Sequence, residues 1–123
     1  MRRVLVVDDE PLVADTLTAI FRKSGFEVQT AYSANDALEI ARLFTPELLL
    51  CDIEMPVRDG LELMNDISRE MPECHIVVLT GLYNALKRVR EQARNLHQPV
   101  TILTKPCQPV ELLREVRSLL RTA

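Results

Sequence analysis

The chain has 123 residues, 47% hydrophobic and 27% charged, which is enough for one globular domain over 1–123, and no linker divides it. A net charge of −3 leaves no bulk attraction to nucleic acid or to an anionic membrane surface. No apolar run approaches the roughly 20 residues needed to span a bilayer, and the run after Arg2 and Arg3 is too short, and too soon stopped by acids, to serve as a signal peptide.

Short apolar runs alternate with longer stretches of helical period, which predicts an α/β fold around a parallel sheet. The first strand is expected over 3–7 and runs straight into Asp8 and Asp9. A helix over 11–24 follows, with Gly25 placed to end it. The second strand, 27–31, is half polar (Glu27-Val28-Gln29-Thr30-Ala31), and Ser33 with Asp36 then signals the start of a helix over 34–44. The third strand, 48–52, is Leu48-Leu49-Leu50-Cys51 leading into Asp52, with a helix over 61–71 behind it. The fourth, 75–79, leads into Thr80. Leu82, Leu86, Val89, Ala93 and Leu96 share one face of a helix over 82–96, which leaves Lys87, Arg88, Arg90 and Arg94 as a basic face, read as solvated in preference to a partner surface. The fifth strand, 101–104, has polar ends and leads into Lys105, and a helix over 109–121 carries a stripe of Val110, Leu113, Val116 and Leu120.

Strands one, three and four are continuously apolar, as strands covered on both faces must be. Strands two and five are more polar and belong at the edges. Right-handed crossovers with helices on both faces then favour a doubly wound sheet in the order 2-1-3-4-5. The winding reverses between strands one and three, and ligands of open α/β sheets bind beyond the carboxyl ends at such a point. Asp8, Asp9 and Asp52 end those two strands.

Each of these residues alone has an ordinary reading: a capping acid, a turn acid, a loop lysine. Together they fall on one edge of the predicted sheet, and that convergence carries chemistry. Clustered carboxylates repel one another and raise their own pKa values unless a cation offsets them. Mg²⁺, or Mn²⁺ in its place, takes oxygen ligands and keeps several waters, leaving room for a phosphoryl oxygen. An aspartate can act as the nucleophile. Lys105 then supplies a point charge and Thr80 a hydroxyl donor to a phosphoryl group. Reversible phosphorylation of an aspartate is the chemistry this set suggests. The three cysteines, Cys51, Cys74 and Cys107, are odd in number and lack metal-ligand spacing, which reads as reduced, buried thiols in a cytoplasmic protein. His75 and His97 are isolated.

Val6-Val7-Asp8-Asp9-Glu10, Asp52-Ile53-Glu54-Met55-Pro56 with Asp59-Gly60, Leu79-Thr80-Gly81 and Leu103-Thr104-Lys105-Pro106 resemble, in order and spacing, the motifs of the receiver domain of two-component response regulators. The resemblance runs essentially end to end and is similar to a single-domain, chemotaxis-type regulator. It implies a (βα)5 flavodoxin-like three-layer sandwich in which Asp52 accepts a phosphoryl group from a histidine kinase or histidine phosphotransfer protein. It also implies Mg²⁺ bound by Asp9 directly, by Asp8 through water, by Asp52 and by the carbonyl of Glu54. Thr80, Gly81 and Lys105 contact the phosphoryl group, and the bond before Pro106 is cis. Phosphorylation is then expected to repack the face made by the 82–96 helix, the 101–104 strand and the 109–121 helix. A chain of this kind is no enzyme toward other substrates; it catalyses only its own phosphotransfer and autodephosphorylation. The resemblance gives it no direct contact with nucleic acid or membrane and an output protein it does not identify.

The chain departs from the family pattern in the switch region. Ile102 stands where the family has Tyr or Phe, Gly81 where it has Ala, and Cys107 where Phe is common. Glu54 sits two residues past Asp52, where a side chain borders the site. Tyr83 is the aromatic nearest Thr80 in sequence, with a surface role favoured. Three other readings stay on the table: a small aspartyl-phosphate phosphatase, which should show D-x-D after its first strand; an FMN binder, whose phosphate loop Asp8-Asp9-Glu10 would oppose; and a degenerate receiver serving as a constitutive interaction module. No output domain follows the last predicted helix, which fits either a stand-alone regulator or the receiver portion of a longer protein.

Overall fold

A computed structural model of the chain describes residues 2–52, 57–81, 87, 89–91, 93–94, 96, 100–105 and 107–121. Five parallel strands form one sheet: β1 (Arg3–Val7), β2 (Glu27–Ala31), β3 (Leu48–Asp52), β4 (His75–Thr80) and β5 (Val100–Thr104), in the order β2-β1-β3-β4-β5. Four helices are described along their length: α1 (Pro11–Lys23), α2 (Ala34–Phe44), α3 (Val57–Glu70) and α4 (Pro109–Arg121). Lys87, Val89, Arg90, Glu91 and Ala93, from the stretch read as a helix over 82–96, are helical as well. Leu82, Tyr83, Leu86 and Arg88 of that stretch lie outside the described residues.

The alternation of side chains along each strand divides the interior in two. Leu5, Val7, Leu49, Cys51, Ile76 and Val78 face Ala37 and Ala41 of α2, Leu63, Met64 and Ile67 of α3, and Val89. Val4, Val6, Leu48, Leu50, Val77 and Leu79 face Phe21 of α1 and Leu112, Val116 and Leu120 of α4. β3 is buried at every position, which is why it tolerates no polar residue before Asp52. β2 mixes exposed and buried residues, and β5 is half-buried from Val100 to Leu103 and exposed at Thr104, as sheet edges should be.

Local chemistry sets the element ends. Ser33 Oγ accepts the Asp36 N–H at 3.1 Å and caps α2. Gly25 has φ +96°, a left-handed conformation that favours glycine, and its N–H closes on the Arg22 carbonyl at 3.1 Å to end α1. Two expectations shift. α3 begins at Val57, four residues before the expected start at 61, because Gly60 is taken into the helix and buried there; glycine weakens a helix without forbidding it. On α4 the buried stripe is Leu112, Val116 and Leu120, while Val110 is 66% exposed. Successive residues turn by about 100° around the helix, so the i, i+4, i+8 row through Leu112 faces the core and Val110 is carried round towards solvent.

Candidate phosphoacceptor site

The site is built at the carboxyl edge of the sheet, where the apolar register gives out. Val7 lies beside Cys51, Asp52 beside Leu79, and Thr80 beside Thr104. The strand ends are therefore level, and the residues that follow them meet. Asp8 is drawn in with β1 and is 1% exposed. Its N–H donates to the Ala31 carbonyl at 3.1 Å, and its Oδ1 accepts the Glu10 N–H at 2.9 Å. Asp52 is 4% exposed, and its Oδ2 accepts Lys105 Nζ at 2.6 Å. The Lys105 N–H donates to the Thr80 carbonyl at 2.9 Å, which carries the β4–β5 pairing one residue past the strand and aims the lysine across the sheet edge at β3. Charge assistance makes such an ammonium–carboxylate contact short. The pair is sheltered mainly on the acid's side, since the lysine side chain keeps 29% of its surface in solvent.

Electrostatics mark Asp8 as the strained member. Burial first, and then hydrogen bonding with the Asp52 carboxyl, push its pKa from 3.8 up to about 7; the Glu10 N–H and the charge of Lys105 oppose this. The bond between the two carboxyls exists only while one of them carries a proton. When both are ionised, Asp8 Oδ2 is a buried anionic oxygen with no donor among the described residues, and Thr80 Oγ1 is likewise buried and without a partner there.

Of the residues singled out in the sequence, Asp8, Asp52, Thr80 and Lys105 come together at this edge. Asp9 and Gly81 lie at the same edge and are exposed. Glu54 and Pro106 lie outside the described residues. Ile102 is half-buried and packs against the core on the side of α2 and α3. One contact not expected from the sequence is the Glu10 N–H, which fixes the Asp8 carboxylate; an aspartate three residues before a helix-starting Pro11 is the local turn signal for that bond. Cys51, directly under Asp52, has its thiol pushed up to about 12 by burial, and Cys74 is pushed up to about 12 for the same reason, so neither is a nucleophile at neutral pH. All three cysteines are free, two of them buried and Cys107 half-buried.

Among the described residues no three His, Cys, Asp or Glu side chains form a group that could hold a metal ion on its own. The donor set is a buried carboxylate pair, Asp8 and Asp52, with one oxygen lacking a donor. That suits a hard cation such as Mg²⁺, which is commonly held by one or two carboxylates, waters and a substrate phosphoryl oxygen instead of a closed protein cage.

Comparison with known proteins agrees with this architecture. The family model of the response regulator receiver domain matches residues 4–117. Among solved structures, a CheY-like receiver domain protein from Methanospirillum hungatei is 26% identical, with a TM-score of 0.87 over 99% of this chain and 95% of that one. The chemotaxis protein CheY4 of Vibrio cholerae is 25% identical, with a TM-score of 0.84 over 97% of this chain and 98% of its own. The receiver domain of AraT, a response regulator from Geobacillus stearothermophilus, is 30% identical, with a TM-score of 0.81 over 98% of this chain and 94% of that one. The level strand ends with their acids, the lysine reaching back to β3 and the match over nearly the whole chain lead to one assignment: the chain belongs to the response regulator receiver domain family of two-component signalling.

Proposed function

We propose that this chain is a phosphorelay switch in which Asp52 is the phosphoacceptor. The observation that carries this reading is the Lys105–Asp52 contact at 2.6 Å beside the buried Asp8. A nucleophilic carboxylate at the switch point of the sheet already has a cation on it and a second acid against it. A carboxylate oxygen of Asp52 attacks the phosphorus of a phosphohistidine on a sensor kinase or phosphotransfer protein. The phosphorus–nitrogen bond breaks, and the imidazole leaves with its electron pair and takes up a proton. Asp8, Asp9 and Asp52, with the carbonyl of Glu54, are the residues to hold Mg²⁺, which when bound offsets the carboxylate charge and stabilises phosphoryl oxygens in transfer.

Lys105 follows the charge: its ammonium, now on the Asp52 carboxylate and partly in water, turns to a phosphoryl oxygen on the same side chain. The Thr80 hydroxyl, buried without a partner among the described residues, is a donor waiting for an acceptor. Ile102 takes the place of a rotating aromatic, and as a half-buried β-branched residue packed against the core it has few rotamers to offer. The output is read as a repacking of the surface formed by the 82–96 segment, β5 and α4, carried by the movement of Thr80 and Lys105. The reading assigns the chain no catalysis beyond its own phosphorylation and dephosphorylation, no direct nucleic-acid contact and a cytoplasmic setting. Among the described residues no helix is long and apolar enough to cross a membrane.

The test is incubation with Mg²⁺ and acetyl phosphate. The expected product is an acid-stable, base-labile phosphoryl adduct that needs the divalent ion and is missing from Asp52→Asn. A D52N protein that labels as well as wild type sinks the assignment.

A further inference from the structure

At the opposite pole of the sheet lies a hollow of about 290 Å³ lined by Arg2, Phe26, Arg117, Leu120 and Arg121. Arg2 precedes β1, Phe26 precedes β2, and the other three come from the last two turns of α4, so three separate parts of the chain frame it. Its floor is apolar and fixed. Phe26 meets Phe21 edge to face at 5.4 Å between ring centroids, and Leu120 is 3% exposed. Its rim is cationic. Arg2 is held by Glu47 at 2.7 Å, while neither Arg117 nor Arg121 has a hydrogen-bond or ion-pair partner among the described residues.

Helix polarity accounts for Arg121, which sits in the last turn of α4 beside the unpaired carbonyls. It does not account for Arg117, one turn earlier, which faces a like charge at i+4, a mildly destabilising arrangement. Arg2, Arg117 and Arg121 all line the hollow and only Arg2 is paired with an acid, so in a chain whose net charge is −3 they form a local excess of positive charge beside Phe26. Guanidiniums bind carboxylate, sulfonate or phosphate as planar forks, and Phe26 and Leu120 offer an apolar seat beside them.

We infer that this hollow is a binding site for a small organic anion with an apolar body, an aryl or acyl carboxylate, sulfonate or phosphate, separate from the acid edge. The anionic group lies between Arg117 and Arg121, with Arg2 closing the third side, and the apolar body rests on Phe26 and Leu120. Both parts are needed: inorganic anions lack the body, and neutral aromatics lack the charge.

Anilinonaphthalenesulfonate is a fitting probe, since it carries one fixed anion on an aromatic frame and its fluorescence rises when water is excluded. Binding to the native protein is expected to saturate at one dye per chain. Amide NMR shifts should centre on Phe26 and Leu120. The exposed double variant R117Q/R121Q should keep the wild-type thermal midpoint and weaken binding by about tenfold or more, because both forks to the anion are lost. D52N should bind as wild type does, while inorganic sulfate and neutral phenylnaphthylamine should leave the same amides unmoved. The inference is overturned if the double variant binds the dye as tightly as wild type, if no saturable binding occurs, or if the shifts centre elsewhere.

Discussion

Asp8 carries most of the information at the scale of single residues. A carboxyl with a pKa of 3.8 in the unfolded chain and about 7 in the folded one holds its proton more tightly when folded. The favourable contribution is therefore complete below about pH 4 and is lost as pH rises through about 7. In the absence of divalent ions, Asp8→Asn should be more stable than wild type at pH 8 and close to it at pH 4. The gap follows the linkage slope of about 1.4 kcal/mol per unit of raised pKa, and urea unfolding at the two pH values measures it. A bound cation replaces the missing proton, so Mg²⁺ should raise the wild-type melting temperature by about 5 °C at pH 8, by much less at pH 5, and by little in Asp8→Asn. Equal Mg²⁺ shifts at both pH values would show that the ion binds somewhere other than this pair.

The secondary-structure elements were largely readable because their cues are local. The Ser33 hydroxyl on the Asp36 N–H and the left-handed Gly25 both stand where short-range rules put them. Gly25→Ala should cost about 1–2 kcal/mol of stability in chemical denaturation, since a Cβ meets no neighbour there and the penalty is the backbone conformation alone. Ser33→Ala should cost about 1 kcal/mol, the usual value of a helix cap. The elements that shifted did so for tertiary reasons. Gly60 gives no sign in sequence that it will be buried inside α3, and Val110 gives none that the row through Leu112, not its own, will face the core. The bidentate Arg42–Glu70 pair between α2 and α3, at 2.9 and 3.0 Å, joins side chains 28 residues apart that no spacing rule connects.

At the scale of the whole molecule, the strand order was legible from strand polarity together with the right-handed crossover rule. Half-polar β2 and β5 go to the edges, and wholly apolar β3 goes to the middle. That order alone brings Asp8, Asp52, Thr80 and Lys105 to one edge, so the site was legible once the sheet was. Its internal geometry was not, because the reach of Lys105 to Asp52 and the Glu10 N–H on Asp8 depend on how level the strands finish. The basic hollow at the other pole was also missed, since Arg2, Phe26 and Arg117 meet only in the folded chain. The proposed function of the acid edge turns on Asp52 being the side chain that takes a phosphoryl group. The most direct measurement is to phosphorylate the protein with acetyl phosphate and Mg²⁺, trap the acyl phosphate by borohydride reduction to homoserine, and sequence the peptides by mass spectrometry. Homoserine at position 52 and nowhere else is the predicted result; homoserine at another acid, or none in protein that has taken up phosphate, would contradict the account.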